Sequence, residues 1–417
     1  MLEENPHTLY LCYFGLREPL VQTQVIPYLR EILKDGIKIS LLTFEPNFKD
    51  SWNAGEIEAA RGKLAEEGIS WHCLSYHKRP SVPATIYDVL SGAYFAVRLS
   101  RKEKIDVFHA RAHVATLMGA IAKNFSGGKM LFDIRGFFPE EYTDAGVWKE
   151  NGLIYRSVKL IEKWLLKKSD GFVVLTEKAR EILFPESVET GFDKSARPVE
   201  VIPCCIDPKR FAAAERLDRE AIRREMKIGE RHVFVYVGSF GGWYLTDDMA
   251  RFFALAHRQN PNTFTMILTQ SDAEMVKQTL VSHGVPEKDF LIKEVSPDEV
   301  PTYLKAADVA ISFIKACYSK QSSSPTKIAE YLASGLPIIS NSGVGDLDAL
   351  IEGEKVGIIL KSFTDEDYAE ALTKMDGLLT VENLSEHCRS IAHQRFAIDR
   401  VAGKNYRRLY RRLLTRN

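Results

Sequence analysis

The residues best placed to do chemistry lie in one run, Ser322-Ser323-Ser324-Pro325-Thr326-Lys327-Ile328-Ala329-Glu330-Tyr331-Leu332-Ala333-Ser334-Gly335. Ser324 is a helix N-cap type, and Pro325 suits the first helical position, where its missing N–H costs nothing. The N–H groups of Thr326 and Lys327 then lack partners inside the helix and, with the positive end of the helix dipole, form an anion seat. Lys327 adds a full charge. Glu330 falls on the same face one turn later, and its acceptor-only carboxylate suits a pair of vicinal hydroxyls. Gly335 ends the helix, and Leu336 to Ser340 read as a buried strand. This order of groups fits the diphosphate and ribose of a nucleoside diphosphate.

Other polar groups and glycines gather where strands are expected to end, which is where open parallel sheets bind ligands. Gly15 follows the first strand, and His109, Arg111 and His113 surround a later one. Arg135, Gly136 and Phe137 leave the strand Met130 to Ile134, ahead of Glu140 and Glu141. Gly238, Ser239, Phe240, Gly241, Gly242 and Trp243 follow Val233 to Val237. An arginine leaving a buried strand needs an anionic partner, either a ligand or a neighbour such as Asp133 or Glu140. Asp346 and Asp348 read as a cap for the next helix rather than a metal pair. The chain carries no P-loop, nucleophile elbow, zinc motif or dinucleotide fingerprint.

These positions imply elements that hold them. Short apolar runs alternate with amphipathic stretches from end to end, the signature of parallel α/β folds. In the first half, strands are expected at Leu9–Phe14, Lys38–Phe44, Ser70–Tyr76, Asp106–Ala110, Met130–Ile134, Phe172–Leu175 and Val199–Ile202. Arg135 to Lys149 reads as a loop, and Ser187 to Pro198 as irregular chain. Pro203-Cys204-Cys205-Ile206-Asp207-Pro208 reads as a hinge, after which the pattern restarts. Strands then follow at Val233–Val237, Thr263–Leu268, Phe290–Ile292, Val309–Phe313, Pro337–Ser340 and Gly357–Leu360. Phe396 to Asn417 reads as one helix with an apolar stripe and a face of arginines and lysines, Arg416 among them. Two domains result, 1–203 joined by 396–417, and 204–395.

At 417 residues the chain exceeds one ordinary core. Its 56 basic and 56 acidic residues cancel, so bulk charge gives no sign of nucleic acid. Nothing is long and apolar enough to span a bilayer, and Met1 to His7 does not read as a signal peptide. Six scattered cysteines read as free thiols of a reducing cytoplasm.

The motifs together resemble the family-four glycosyltransferases of the GT-B fold. Leu20-Val21-Gln22-Thr23-Gln24-Val25-Ile26-Pro27-Tyr28-Leu29 resembles their opening loop and helix, and Val201-Ile202-Pro203-Cys204-Cys205-Ile206-Asp207 with Phe211 their interdomain segment. Ser322 to Pro337 is similar to their donor motif, in which two glutamates are separated by seven residues. The resemblance implies two Rossmann-like domains facing across a cleft, with a C-terminal helix crossing back to the first. It also implies transfer of a sugar, with retention and no strict need for a metal or other cofactor, from a UDP- or GDP-linked donor to a saccharide or lipid-linked acceptor, as in surface polysaccharide synthesis. The donor would meet Gly238, Ser239, Phe240, Gly241, Ser322, Ser323, Ser324, Pro325, Thr326, Lys327 and Glu330. The acceptor would meet Gly15, Arg111, Gly136 and Phe137, with His109 and Arg135 as catalytic candidates. The chain departs from the family pattern in three places. The first glutamate falls on Ser322, and the usual arginine and lysine after the first strand of the second domain fall on Ser239 and Tyr244. Lys327 and Arg135 are the candidate replacements. Two rival readings are a silent nucleotide-sugar-binding subunit and a GT-B epimerase using Asp133, Glu140, Glu141 and His113. The basic tail, aided by Leu153 to Lys168, could also rest on an anionic membrane surface at the inner face.

Overall fold

The computed structural model describes residues 5–415. Two compact units emerge, one of Met1–Pro203 with Val401–Asn417 and the other of Cys204–Arg400. Arg416, one of the expected tail arginines, lies outside the described residues.

The first unit is a seven-stranded sheet in the order β3-β2-β1-β4-β5-β6-β7. Its strands are β1 (His7–Cys12), β2 (Lys38–Pro46), β3 (Ile69–Tyr76), β4 (Val107–Arg111), β5 (Lys129–Asp133), β6 (Gly171–Val174) and β7 (Val199–Val201), and every pairing is parallel. Helices cover both faces, so the central strands are buried along nearly their whole length instead of alternating between buried and exposed. The second unit repeats the plan with six strands ordered β10-β9-β8-β11-β12-β13. These are β8 (His232–Val237), β9 (Thr263–Leu268), β10 (Phe290–Lys293), β11 (Val309–Ser312), β12 (Ile338–Asn341) and β13 (Gly357–Leu360), again all parallel.

In both sheets the strand order reverses beside the first strand, between β1 and β4 and between β8 and β11. The helix on one side of each reversal rises on one face and its neighbour on the other, which opens a crevice at the carboxyl ends of the strands. Gly15, Arg111 and Arg135 lie at that edge of the first sheet, and Gly238 and the segment running to Thr326 lie at that edge of the second.

Three expected elements differ. Arg135 to Lys149 is not all loop, because Phe138–Asp144 is a helix with Pro139 in its first turn. Ser187–Thr190 makes a helical turn closed by Gly191 at φ 73°, inside the stretch expected to be irregular. The tail is not one helix from Phe396. Leu384–Phe396 ends there, and Ala397 turns extended and pairs with Ile206. Ile398–Ala402 forms a π turn, and the final helix is Gly403–Leu414. That helix packs on Ile26–Leu33 and β7 through Tyr406, Leu409, Tyr410 and Leu413, all buried. Its arginines are committed to ion pairs, Arg407 and Arg411 with Asp35, and Arg408 and Arg412 with Glu200.

Candidate functional site

The second unit brings its sequence-predicted donor residues together. β8 ends in a turn that only glycine can make. Gly238 has φ 131° and donates its N–H to the Leu268 carbonyl at 2.9 Å, and Gly241 and Gly242 follow at φ 105° and 64°. The Tyr236 hydroxyl donates to the Ser239 carbonyl at 2.6 Å, and Phe240 N–H donates to Ser271 Oγ at 2.9 Å, so the turn is fixed from within. Trp243 lies under the Lys320 ammonium at 3.9 Å, which pins the turn to the segment before Thr326.

The helix Thr326–Ala333 begins against this turn. It opens one residue later than expected, because Pro325 stays extended at φ −67°, ψ 119°. Ser324 does not cap it; its hydroxyl accepts the Cys204 N–H at 3.1 Å instead. The dipole end and the first-turn N–H groups of Thr326 and Lys327 nevertheless face the same way.

Lys327 is the centre of the cluster. Its ammonium donates to the Tyr236 hydroxyl at 3.1 Å and sits 3.7 Å from the centre of the Tyr244 ring. A Cβ on Gly238 would lie 2.8 Å from Nζ, so the glycine is what admits the lysine. Lys327 thus brings a basic group to this turn from the helix Thr326–Ala333, and Tyr244 turns its ring face toward it. Burial lowers the Lys327 pKa well below that of an ordinary lysine, and Glu330 opposes the shift. A buried cation without an anion is costly, and the site gains when one arrives.

Glu330 points from the next turn of the same helix. Burial raises its pKa, against the pull of Arg210 and Lys327, and Arg210 Nη1 stands 3.7 Å from its carboxylate. The sequence reading missed Arg210, since nothing in Pro208–Glu215 marks it until the fold sets it beside Glu330. Ser322 is buried and donates to the Ser319 carbonyl at 2.7 Å, and Ser323 N–H reaches the Lys320 carbonyl at 3.1 Å. These two serines shape the approach to the helix.

The first unit holds a second cluster at its own strand reversal. Arg111, the last residue of β4, donates to Gln24 Oε1 at 2.8 Å, and Arg135 donates to the same oxygen at 3.0 Å. Both guanidiniums also approach Asp133, at 3.8 and 3.4 Å. Gln24 lies in a π turn, Val21–Val25, an irregularity common at functional sites. Ala112 takes φ 64°, strained for a residue with a side chain, between Arg111 and His113. Gly15 passes so close to the buried Glu45 carboxylate that a Cβ would sit 2.9 Å from it. Gly136 lies against Glu141 in the same way at 3.1 Å.

Two expected site residues are corrected here. His109 is in the middle of β4, paired with Tyr10 on one side and Leu131 on the other, and has no exposed surface. Its Nδ1 meets the Tyr410 hydroxyl at 2.9 Å, and burial lowers its pKa to about 4. It cannot reach an acceptor. Phe137 is packed into the core at 3 % exposure and supports the rim without lining it. Asp346 makes no side-chain cap, and Asp348 accepts the Gly343 N–H at 3.2 Å. An unforeseen pair lies after β3, where buried Asp88 accepts from Tyr13 at 2.7 Å and meets His77 Nδ1 at 2.6 Å.

Two parallel sheets, each reversing its strand order beside its first strand, are the architecture of the GT-B fold, and comparison with known proteins gives the family. The profile described as "Glycosyltransferase Family 4" matches residues 21–210, and that described as "Glycosyl transferases group 1" matches residues 218–395. The chain belongs to this glycosyltransferase family. It is 22 % identical over 303 residues, 70 % of this chain and 72 % of the relative, to the Escherichia coli UDP-Gal:alpha-D-GlcNAc-diphosphoundecaprenol alpha-1,3-galactosyltransferase. Its fold is similar to that of a glycosyltransferase from Rickettsia africae, with TM-score 0.70, 13 % identity and 99 % and 100 % of the two chains covered. It is also similar to Anabaena HepE solved with UDP-glucose, with TM-score 0.66, 12 % identity and coverage of 97 % and 99 %.

Proposed function

We propose that this glycosyltransferase moves a sugar from a UDP- or GDP-linked donor to a saccharide or lipid-linked acceptor, with retention and without a metal. The single observation that carries the donor assignment is Lys327, a buried ammonium held by Gly238, Tyr236 and Tyr244 at the mouth of a helix whose next turn presents Glu330. In this reading the diphosphate lies over the first-turn N–H groups and Lys327, and Glu330 accepts from the ribose hydroxyls. The bond between the anomeric carbon and the phosphate oxygen breaks, and one to the acceptor oxygen forms. The diphosphate carries away the electron pair, and the seat stabilises that charge as it develops. With His109 sealed in the core, the acceptor proton passes to an oxygen of the departing phosphate. The diphospholipid acceptor in the name of the Escherichia coli relative supports a phosphate-bearing lipid as the acceptor class.

The test is thermal unfolding of the purified protein with UDP, GDP, ADP and their sugars. A nucleotide at a hundred times its dissociation constant stabilises by about 2.7 kcal/mol. The expected result is stabilisation by one nucleotide family, followed by release of that nucleotide with retained anomeric configuration when acceptor is supplied. No shift with any nucleotide overturns the reading. Stabilisation without turnover on any acceptor assigns the chain to a silent binding subunit.

A further inference from the structure

We infer that Arg111, Arg135 and Gln24 of the first unit bind a phosphoryl group, the one that an acceptor of the proposed class carries. The three side chains converge at the carboxyl edge of the sheet. Gln24 Oε1 accepts from Arg111 Nη2 at 2.8 Å and from Arg135 Nη2 at 3.0 Å. A single neutral oxygen thus holds two guanidiniums side by side. Like charges this close repel strongly in a low-dielectric interior, and an anion set between them turns that repulsion into attraction.

The carboxylate that the chain supplies is shared. Asp133 stands 3.8 Å from Arg111 Nη1 and 3.4 Å from Arg135 Nη1. Both distances exceed the roughly 2.7–2.9 Å of a close charged hydrogen bond. Its Oδ2 also accepts from the Tyr406 hydroxyl at 3.3 Å. One carboxylate between two guanidiniums leaves a positive charge over. His109, 3.9 Å from the same oxygen, does not alter that count at neutral pH, because burial lowers its pKa to about 4. Arg111 Nη1 is buried and makes no hydrogen bond. A buried donor in that state bears the cost of its lost hydration, and a ligand oxygen removes it. The cluster is not sealed. Side-chain exposure rises from 0 % at Asp133 through 3 % at Arg111 to 10 % at Arg135, so the opening is on the Arg135 side.

Charge and shape select the ligand. Saccharide hydroxyls are neutral and leave the excess charge in place. Two guanidinium forks side by side offer several N–H donors in fixed planes, which suits the oxygens of a phosphoryl group. Arg135, a candidate for the charge missing on the donor side, is here assigned to the acceptor. The identity of the phosphate's carrier rests on the transferase reading; the anion site does not.

The test is titration calorimetry of the full-length protein with farnesyl diphosphate, a soluble prenyl diphosphate, and with inorganic pyrophosphate. Farnesyl diphosphate is expected to bind. Arg135→Gln and Arg111→Lys weaken that binding by about tenfold or more, while Lys327→Ala, which removes the cation of the donor seat, stays within about twofold. Unfolding temperatures close to wild type show that the arginine variants fold. Gln24→Glu sets a carboxylate between the guanidiniums in place of the ligand. It should abolish binding and raise the unfolding temperature of the ligand-free protein, which a network already balanced in charge would not do. Pyrophosphate, titrated into Lys327→Ala, fixes the source of the group. Weaker binding than farnesyl diphosphate assigns a lipid-borne phosphate, and equal binding a phosphate carried without lipid. Absence of binding, loss in Lys327→Ala with retention in Arg135→Gln, or a lowered unfolding temperature in Gln24→Glu overturns the inference. Nucleotide-induced stabilisation through Lys327 is read separately, so failure of the donor assignment leaves this result standing.

Discussion

Lys327 and His109 are both buried basic side chains, and their surroundings give them opposite uses. Lys327 has a glycine, two tyrosine rings and a helix mouth around it, an arrangement that gains most when an anion enters. Replacing it with alanine should weaken nucleotide binding by about 1.5–3 kcal/mol, roughly ten- to hundredfold by titration calorimetry. Because burial lowers its pKa, binding a diphosphate should draw a proton onto the amine. Wild-type affinity should therefore fall as pH rises, and Lys327→Met should lose that dependence. His109 is held neutral among Tyr10, Tyr406 and Tyr410. Its folded pKa of about 4 lies below the ordinary 6.5, so below the ordinary value the unfolded chain binds the extra proton. Stability is full above pH ~6.5 and falls as pH drops toward ~4, by up to about 3 kcal/mol from this residue. Denaturant titrations of His109→Gln should show a shallower slope in that window. Some slope remains, because burial lowers His7, His72 and His257 in the same direction.

At the scale of elements, the turn after β8 does most for the site. Gly238→Ala puts a Cβ within 2.8 Å of the Lys327 amine and forces a side chain to a φ of 131°. Expected are nucleotide binding as weak as in Lys327→Ala and a stability loss of about 1–3 kcal/mol, both read from ligand-dependent unfolding curves. Thermal shifts equal to wild type would show that the turn does not position the lysine. The strands were legible in the sequence because parallel strands buried on both faces are plain apolar runs, and Thr263–Leu268 and Gly357–Leu360 fall where expected. The donor helix was legible from the proline just before it and the glycine just after it, though it opens one residue later than expected. What lies between elements was not. His109 looked like a strand-end residue because register with Tyr10 and Leu131 is a property of neighbours distant in sequence. Gln24 gave no signal, since a π turn has no composition of its own. The helix Ser81–Lys102 is apolar on two sides, and periodicity alone does not say which side faces the sheet.

For the whole molecule, the family assignment and the two repeated sheets account for the chain's length, and each sheet carries its polar cluster where its own strand order reverses. The family profiles divide the chain between residues 210 and 218, just after the segment where the two units part at Pro203 and Cys204. The connection is not symmetrical, because the chain leaves the first unit at Pro203 and returns to it at Val401. The returning helix places Tyr406 and Tyr410 against His109 and ties Glu200 to Arg408 and Arg412.

That return sets an order of assembly during synthesis. The unit encoded first has all seven strands by Val201 but lacks the helix Gly403–Leu414 until the second unit has been made, whereas the second unit has every one of its elements by Arg400. Stalled translation products ending before Val401 should therefore yield a protease-resistant fragment from the later-made half while the earlier-made half is digested. The opposite digestion pattern would show that the sheet around β4 closes without its last helix.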